Sequence, residues 1–174
     1  MQLYAAIDLH SNNSFLVVID PEDRTVYSKR LRNDLQAIVG ALRSCPGEIQ
    51  AVAVESTYNW YWLVDGLQEA GFEVHLVNTA AVKQYEGLKH GGDASDAKHL
   101  AQLLRLGILP VGYICPKELR ALRDLMRKRS QPVRQRTAQI LSIQNQMART
   151  LGTSLTGNQI KALGRPQHRR ASPD

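Results

Sequence analysis

Four acidic residues draw attention by where they fall. Asp8 and Glu55 each close a run of apolar residues, and Asp93 and Asp96 stand three apart in a polar, helix-favouring stretch. A carboxylate directly after an apolar strand is too costly to bury alone, so it must be solvated, paired or bound to a cation. The ends of parallel strands in an open sheet converge on one crevice, so acids from two such strands suggest a shared ion. Asp93 and Asp96, placed at the start of a helix, share one helical face. Clustered hard oxygen donors of this kind suit Mg2+, which prefers octahedral coordination and retains waters. Singly, each acid has a plainer reading. Asp93 and Asp96 would cap a helix and offset its dipole, Asp8 would begin a turn, and Glu55 would open the next helix. Jointly, a strand-end Asp, a strand-end Glu and a helical Asp-x-x-Asp form the ordered set of a two-metal nuclease site, which activates the attacking oxygen and stabilises the leaving one. Four like charges also repel, so binding divalent ions relieves the cluster as well as equipping it.

The elements that must position these acids are legible as an α/β pattern. Residues 3–9 read as a buried strand with an acid at its tip, followed by the turn-like Ser11-Asn12-Asn13. Residues 14–20 and 25–29 continue it as a meander of three antiparallel strands, with Pro21-Glu22-Asp23 as the turn. Leu35, Ile38, Val39 and Leu42 recur at helical spacing, and Pro46-Gly47 closes that helix. Residues 49–54 form a second buried strand leading to Glu55, residues 58–70 a helix stopped by Gly71, and residues 73–77 a further strand. Beyond Asn78 the pattern is ambiguous through Val82 and Tyr85 to a bend at His90-Gly91-Gly92. A helix over 94–106 follows, ended by Gly107 and Pro110. The sheet is therefore mixed and flanked by helices, with a long helical extension after it.

That extension, residues 117–151, carries Leu119, Leu122, Leu125, Met126, Val133, Ile140, Leu141, Ile143 and Met147 at helical spacing, with a break expected at Pro132. It is expected to project from the core or to pair with a partner helix. The chain of 174 residues has a net charge of +6, and the excess is concentrated here, in Arg120, Arg123, Arg127, Lys128, Arg129, Arg134 and Arg136. A localised basic stripe is the footprint of a phosphate-backbone contact, and otherwise a solvated helix face. Tyr58, Trp60, Tyr61 and Trp62 crowd after Glu55. Some belong to the core, while Asn59 and Trp60 are the pair expected to be exposed for base stacking. His10 stands close enough to Asp8 to approach a metal site, His75 suits a half-buried strand position, and His99 a helix surface. Lys83, Lys89 and Lys98 flank the acids and would steer phosphate toward them.

The division expected is 1–112 for the acid-bearing domain, 113–152 for the basic helix and 153–174 for a flexible tail. No apolar run approaches the roughly 20 residues that span a bilayer, and the N-terminus lacks a secretory layout, so a cytoplasmic protein without a membrane partner is expected. Cys45 and Cys115 stand apart with no ligand spacing, which excludes a zinc site or a disulfide framework. No Gly-rich phosphate loop supports a sugar or acetate kinase.

The set Asp8, Glu55, Asp93 and Asp96, with the stretches ESTYNWYWLVDGL, GLKHGGDASDAKHLAQLLRLGILP and LRALRDLMRKR, resembles the DEDD transposases of the insertion-sequence one-ten family. The resemblance runs over residues 3–152. It implies a ribonuclease-H-like fold similar to the Holliday-junction resolvase RuvC, with the four acids as catalytic magnesium ligands. It implies DNA recombination, a coiled-coil role for the basic helix in a homo-oligomer, and a structured guide RNA that pairs donor with target DNA. Relatives commonly carry Thr-Asp ahead of the third acid where this chain has Gly91-Gly92, which implies a looser loop. They also continue into a domain supplying a nucleophilic serine, a role for which Ser154 in the tail is unsuited. Recombination is thus expected to lie beyond this chain alone. The rival expectation is a catalytically incomplete remnant that binds nucleic acid and oligomerises.

Overall fold

The computed structural model describes residues 1–82 and 92–163. Lys83, Tyr85, Lys89, His90 and Gly91, and with them most of the expected bend, lie outside the described residues. Contacts divide the chain into two units, Met1–Ile114 and Cys115–Asp174.

In the first unit β1 (Gln2–Leu9), β2 (Asn13–Ile19) and β3 (Thr25–Arg32) form the expected antiparallel meander. Helix α1 (Leu35–Arg43) begins at Asp34, whose Oδ1 accepts hydrogen bonds from the backbone N–H of Gln36 (2.9 Å) and Ala37 (3.3 Å). β4 (Glu48–Glu55) then returns parallel to β1, and after α2 (Tyr61–Glu69) β5 (Val74–Val77) lies parallel to β4. The sheet order is β3-β2-β1-β4-β5. An antiparallel meander extended by parallel strands through helical crossovers is the ribonuclease-H-like arrangement. A short α3 (Thr79–Val82) follows β5, and α4 (Asp93–Arg105) ends at Gly107, which takes φ +70°.

Strand alternation splits the core into two layers. Leu3, Ala5, Ile7 and Leu9 of β1 face α1 and α2, together with Leu16, Val18, Val52, Val54, Leu63 and Leu67. Gly66 permits this layer to close, because a Cβ there would lie 2.3 Å from Leu35 Cδ2. Ala6 points the other way, joining Val17, Ile19, Ala53 and Val77 beneath Ala97, Leu100, Ala101 and Leu103 of α4. Helix α4 is pinned at its far end by Arg105. Its guanidinium donates to both carboxylate oxygens of Asp23 (2.8 and 2.9 Å) and to Pro21 O (3.0 Å) in the β2–β3 turn.

In the second unit α5 (Lys117–Leu151) runs without interruption through Pro132, where the sequence predicts a break. A proline removes one N–H donor, and the carbonyl so released stays solvated because α5 has no buried residue. Within 153–174, where a flexible tail is expected, α6 (Gly157–Leu163) forms. Its start is a capping box: Thr156 N and Oγ1 donate to Gln159 Oε1 (2.8 and 2.9 Å), while Gln159 N donates to Thr156 Oγ1 (3.4 Å). Ile160 is buried, and Gln144 of α5 donates to Leu155 O (2.9 Å). Among the described residues no helix is long and apolar enough to cross a membrane.

Asp20, buried at the start of the same β2–β3 turn, accepts from Glu22 N, Arg24 N and Arg24 Nε at 3.0, 2.9 and 2.7 Å. Burial alone would raise its carboxyl, but the Arg24 guanidinium and the two backbone donors outweigh it and hold Asp20 below the usual aspartate range. A lowered folded value makes this pairing stabilising above that range, with the contribution lost as pH falls through the folded value. We predict that Asp20→Asn lowers Tm at neutral pH and flattens part of the acid limb of the Tm–pH curve. An acid limb identical to that of the parent would contradict this role.

Candidate metal centre

The same alternation that sends Ala6 toward α4 sends Asp8 there too, and Ala53 carries Glu55 to the same face. Asp8 and Glu55 come one step beyond Ile7–Val54, the last parallel pair of β1 and β4. The first turn of α4 supplies Asp93 and Asp96 above this sheet edge. Among the described residues, one group has metal-ligating geometry: Asp8, His10 and Asp93 each offer an atom within 4.8 Å of the others. Glu55 ends β4 half-buried and Asp96 is exposed on α4, and neither belongs to that group.

Asp8 is the buried member, its side chain only 7% exposed. His10 Nε2 sits 3.3 Å from Asp8 Oδ2 and 3.2 Å from Asp93 Oδ2. That nitrogen is itself buried, yet it is not aligned for a hydrogen bond to either oxygen. The histidine cannot drift, because its backbone is clamped on both sides. Its N–H donates to Asn13 O (2.9 Å), and its carbonyl accepts from Asn33 Nδ2 (2.9 Å) and Asn59 Nδ2 (3.2 Å). Asn33 is held in turn by Ser14 Oγ (2.6 Å), and Asn59 by Thr57 Oγ1 (2.8 Å).

Arg30 of β3 completes the cluster. Its guanidinium donates to Asp93 Oδ2 and to Asn13 Oδ1 (2.6 Å), and lies over the Phe15 ring, 5.6 Å from its centroid. The hydrogen bond from Arg30, partly opposed by burial and reinforced by His10, holds the Asp93 carboxyl below its ordinary range.

The donor set fits a divalent cation. Two carboxylates provide hard oxygens, and a buried imidazole nitrogen without an aligned partner points between them. The three donor atoms all lie within 4.8 Å of one another, close enough that one small cation would meet them together. The two carboxylates suit Mg2+ and Mn2+ alike, and the imidazole adds a nitrogen donor favoured by transition-metal ions.

The sequence placed both strand-end acids but gave Arg30, Asn33 and the His10 clamp no role. Position 30 meets position 15 only through the β2–β3 register, which no local motif reports. Trp60, expected to be exposed beside Asn59, is corrected: its indole is 3% exposed, edge-on to Tyr61 at 4.5 Å in the core. Residues 58–60 form the turn before α2, and turning there folds the indole inward while Tyr58 is left 81% exposed. His99, expected at a helix surface, has a buried Nε2 without a hydrogen-bond partner among the described residues. His75 is half-buried as expected, its Nε2 3.0 Å from Glu73 Oε1. Of the basic residues on α5, Arg127, Lys128, Arg129 and Arg134 are exposed. Arg120 and Arg123 are partly covered, and Arg120 Nε donates to Cys115 O (2.9 Å).

The fold is ribonuclease-H-like, and Asp8, His10 and Asp93 gather beside the ends of its parallel strands. The model of the IS110 DEDD family, described as a transposase, matches residues 5–151, and the chain belongs to that family. No curated protein matches it in sequence. A solved structure, T. thermophilus RuvC in complex with Holliday junction substrate, is similar at 17% identity and TM-score 0.47, covering 64% of this chain and 100% of that one.

The environments of Trp60 and Asn59 predict different losses on truncation. Trp60→Ala should cost about 3–5 kcal/mol in denaturant unfolding, and Asn59→Ala about 0.5–1.5 kcal/mol. A negligible loss for Trp60→Ala would contradict its place in the core.

Proposed function

We propose that this chain is the Mg2+-dependent, nuclease-like domain of a transposase that acts on DNA with a structured guide RNA. The observation that carries this reading is the convergence of Asp8 and Asp93 on one imidazole at the parallel-strand ends, in a chain of the transposase family. Asp8, His10 and Asp93 would hold the first ion, with Glu55 and Asp96 completing the coordination from the adjacent strand and from the same helical turn. A bound divalent ion polarises a phosphoryl oxygen and offsets charge developing in displacement. The protein's own part is to hold Asp8 in the sheet and Asp93 on the helix so that their oxygens face one point.

Arg120, Arg123, Arg127 and Arg134 recur at helical spacing along α5, with Lys128 and Arg129 beside them, and these six would contact the nucleic-acid backbone. Asn59 and the exposed Tyr58 would border the nucleic acid near the acids. Leu119, Met126, Val133, Ile140 and Met147 fall at every seventh position of α5, the spacing of a coiled-coil seam, and support a homo-oligomer through this helix.

The metal site is tested by thermal melting. Mg2+ should raise Tm of the parent, and Asp8→Asn or Asp96→Asn should abolish that rise; an unchanged rise in both would overturn the site. For the basic stripe, neutralising Arg127, Lys128 and Arg129 should reduce the slope of log K against log salt by about 0.9 for each duplex-DNA phosphate that is no longer neutralised. A parent-like slope would remove these residues from the interface.

A further inference from the structure

Asp93 Oδ2 is approached by two groups of the protein itself, His10 Nε2 and the Arg30 guanidinium. Arg30 is more than an incidental neighbour. Asn13 Oδ1 fixes one arm of its fork at 2.6 Å, and Phe15, its cross-strand partner, supports the guanidinium plane from beneath. The other arm is thereby aimed at Asp93 Oδ2, to which it gives a single charge-assisted hydrogen bond. Two cations on one carboxylate oxygen repel each other, so an ion that takes this oxygen does so against Arg30. The two carboxylates differ in what they can release. Asp8 is 7% exposed and has the sheet around it, whereas Asp93 is 32% exposed and its partner Arg30, 51% exposed, can swing into water.

We propose that Arg30 is a built-in counter-cation that holds Asp93 in the ion-free protein and competes with the divalent ion for it. Arg30 is in this sense a positioning residue. It keeps the acid cluster compensated and the start of α4 tied to β3 when no ion is present, and it sets the ion concentration at which the site fills. The inference rests on the reading of these acids as a metal centre.

The test is a Mn2+ titration of the full chain, with free Mn2+ followed by electron paramagnetic resonance. Arg30→Met keeps an unbranched stem over Phe15 and deletes the donors, and should lower the Mn2+ Kd about fivefold or more, within the usual range of coupling between competing sites. Arg30→Lys restores the charge and should return Kd to near the parent value. Asn13→Ala, which frees the fork without removing its charge, should tighten Mn2+ binding in the same direction by a smaller factor, and decides the matter if Arg30→Met fails to fold. Unchanged or weaker Mn2+ binding in folded Arg30→Met, or in Asn13→Ala when the former does not fold, would overturn the proposal. The reading beneath it has its own control. Asp8→Asn should lose the Mn2+ site; if it does while Arg30→Met does not tighten binding, only the counter-cation fails. Parent-like Mn2+ binding in Asp8→Asn, or none in the parent, overturns both.

Discussion

Side chains on a β-strand alternate between faces, and this periodicity constrains the rest of the molecule. Leu3, Ala5, Ile7 and Leu9 are committed to the layer under α1 and α2, so Ala6 and Asp8 must face α4. A shift of one residue in β1 would bury the carboxylate among leucines and turn Ile7 toward the acids, a change opposed by both the hydrophobic and the charge terms. The parallel pairing of β1 with β4 then delivers Glu55 beside Asp8, and the packing of Ala97, Leu100, Ala101 and Leu103 on the other layer fixes the first turn of α4 above them. Residues distant in the chain reach one place because three independent packing surfaces agree on it.

Gathering carboxylates in this way creates a repulsion that the protein must offset, and its own side chains do part of this. Arg30 and His10 approach the acids from β3 and from the β1–β2 turn, while Asn33 and Asn59 immobilise the His10 backbone. The polar network thus has two layers, a guanidinium and an imidazole near the carboxylate oxygens and neutral amides that hold the imidazole's backbone still. These contacts order the His10 backbone and the Asp93 carboxylate within the fold itself. At the opposite end of α4, Arg105 on Asp23 and Pro21 O anchors the helix, so its register on the sheet is fixed from both termini.

Much of this was readable in the residues. Apolar runs mark β1, β4 and the meander, and with them the strand-end positions of Asp8 and Glu55, because burial and charge are both local signals. What was missed depends on partners remote in sequence. Arg30 looks like any basic residue of an exposed strand until the β2–β3 register sets it against Phe15 and Asn13. Trp60 sits in a polar, aromatic stretch that resembles a stacking platform, but the turn over 58–60 directs its indole inward. Helix α6 is too short for periodicity to reveal, although its Thr156–Gln159 capping box stands in the sequence. Pro132 signals a break that α5 does not make, because an exposed helix can leave the released carbonyl to water.

The central claim is that Asp8 and Asp93 share one divalent ion. It is tested most directly by the crystal structure of this chain grown with Mn2+, with the ion located by its anomalous scattering. The expected result is a peak within about 2.0–2.3 Å of an oxygen from each carboxylate. A well-ordered site with no peak there, or a peak that engages only one of the two, would contradict it.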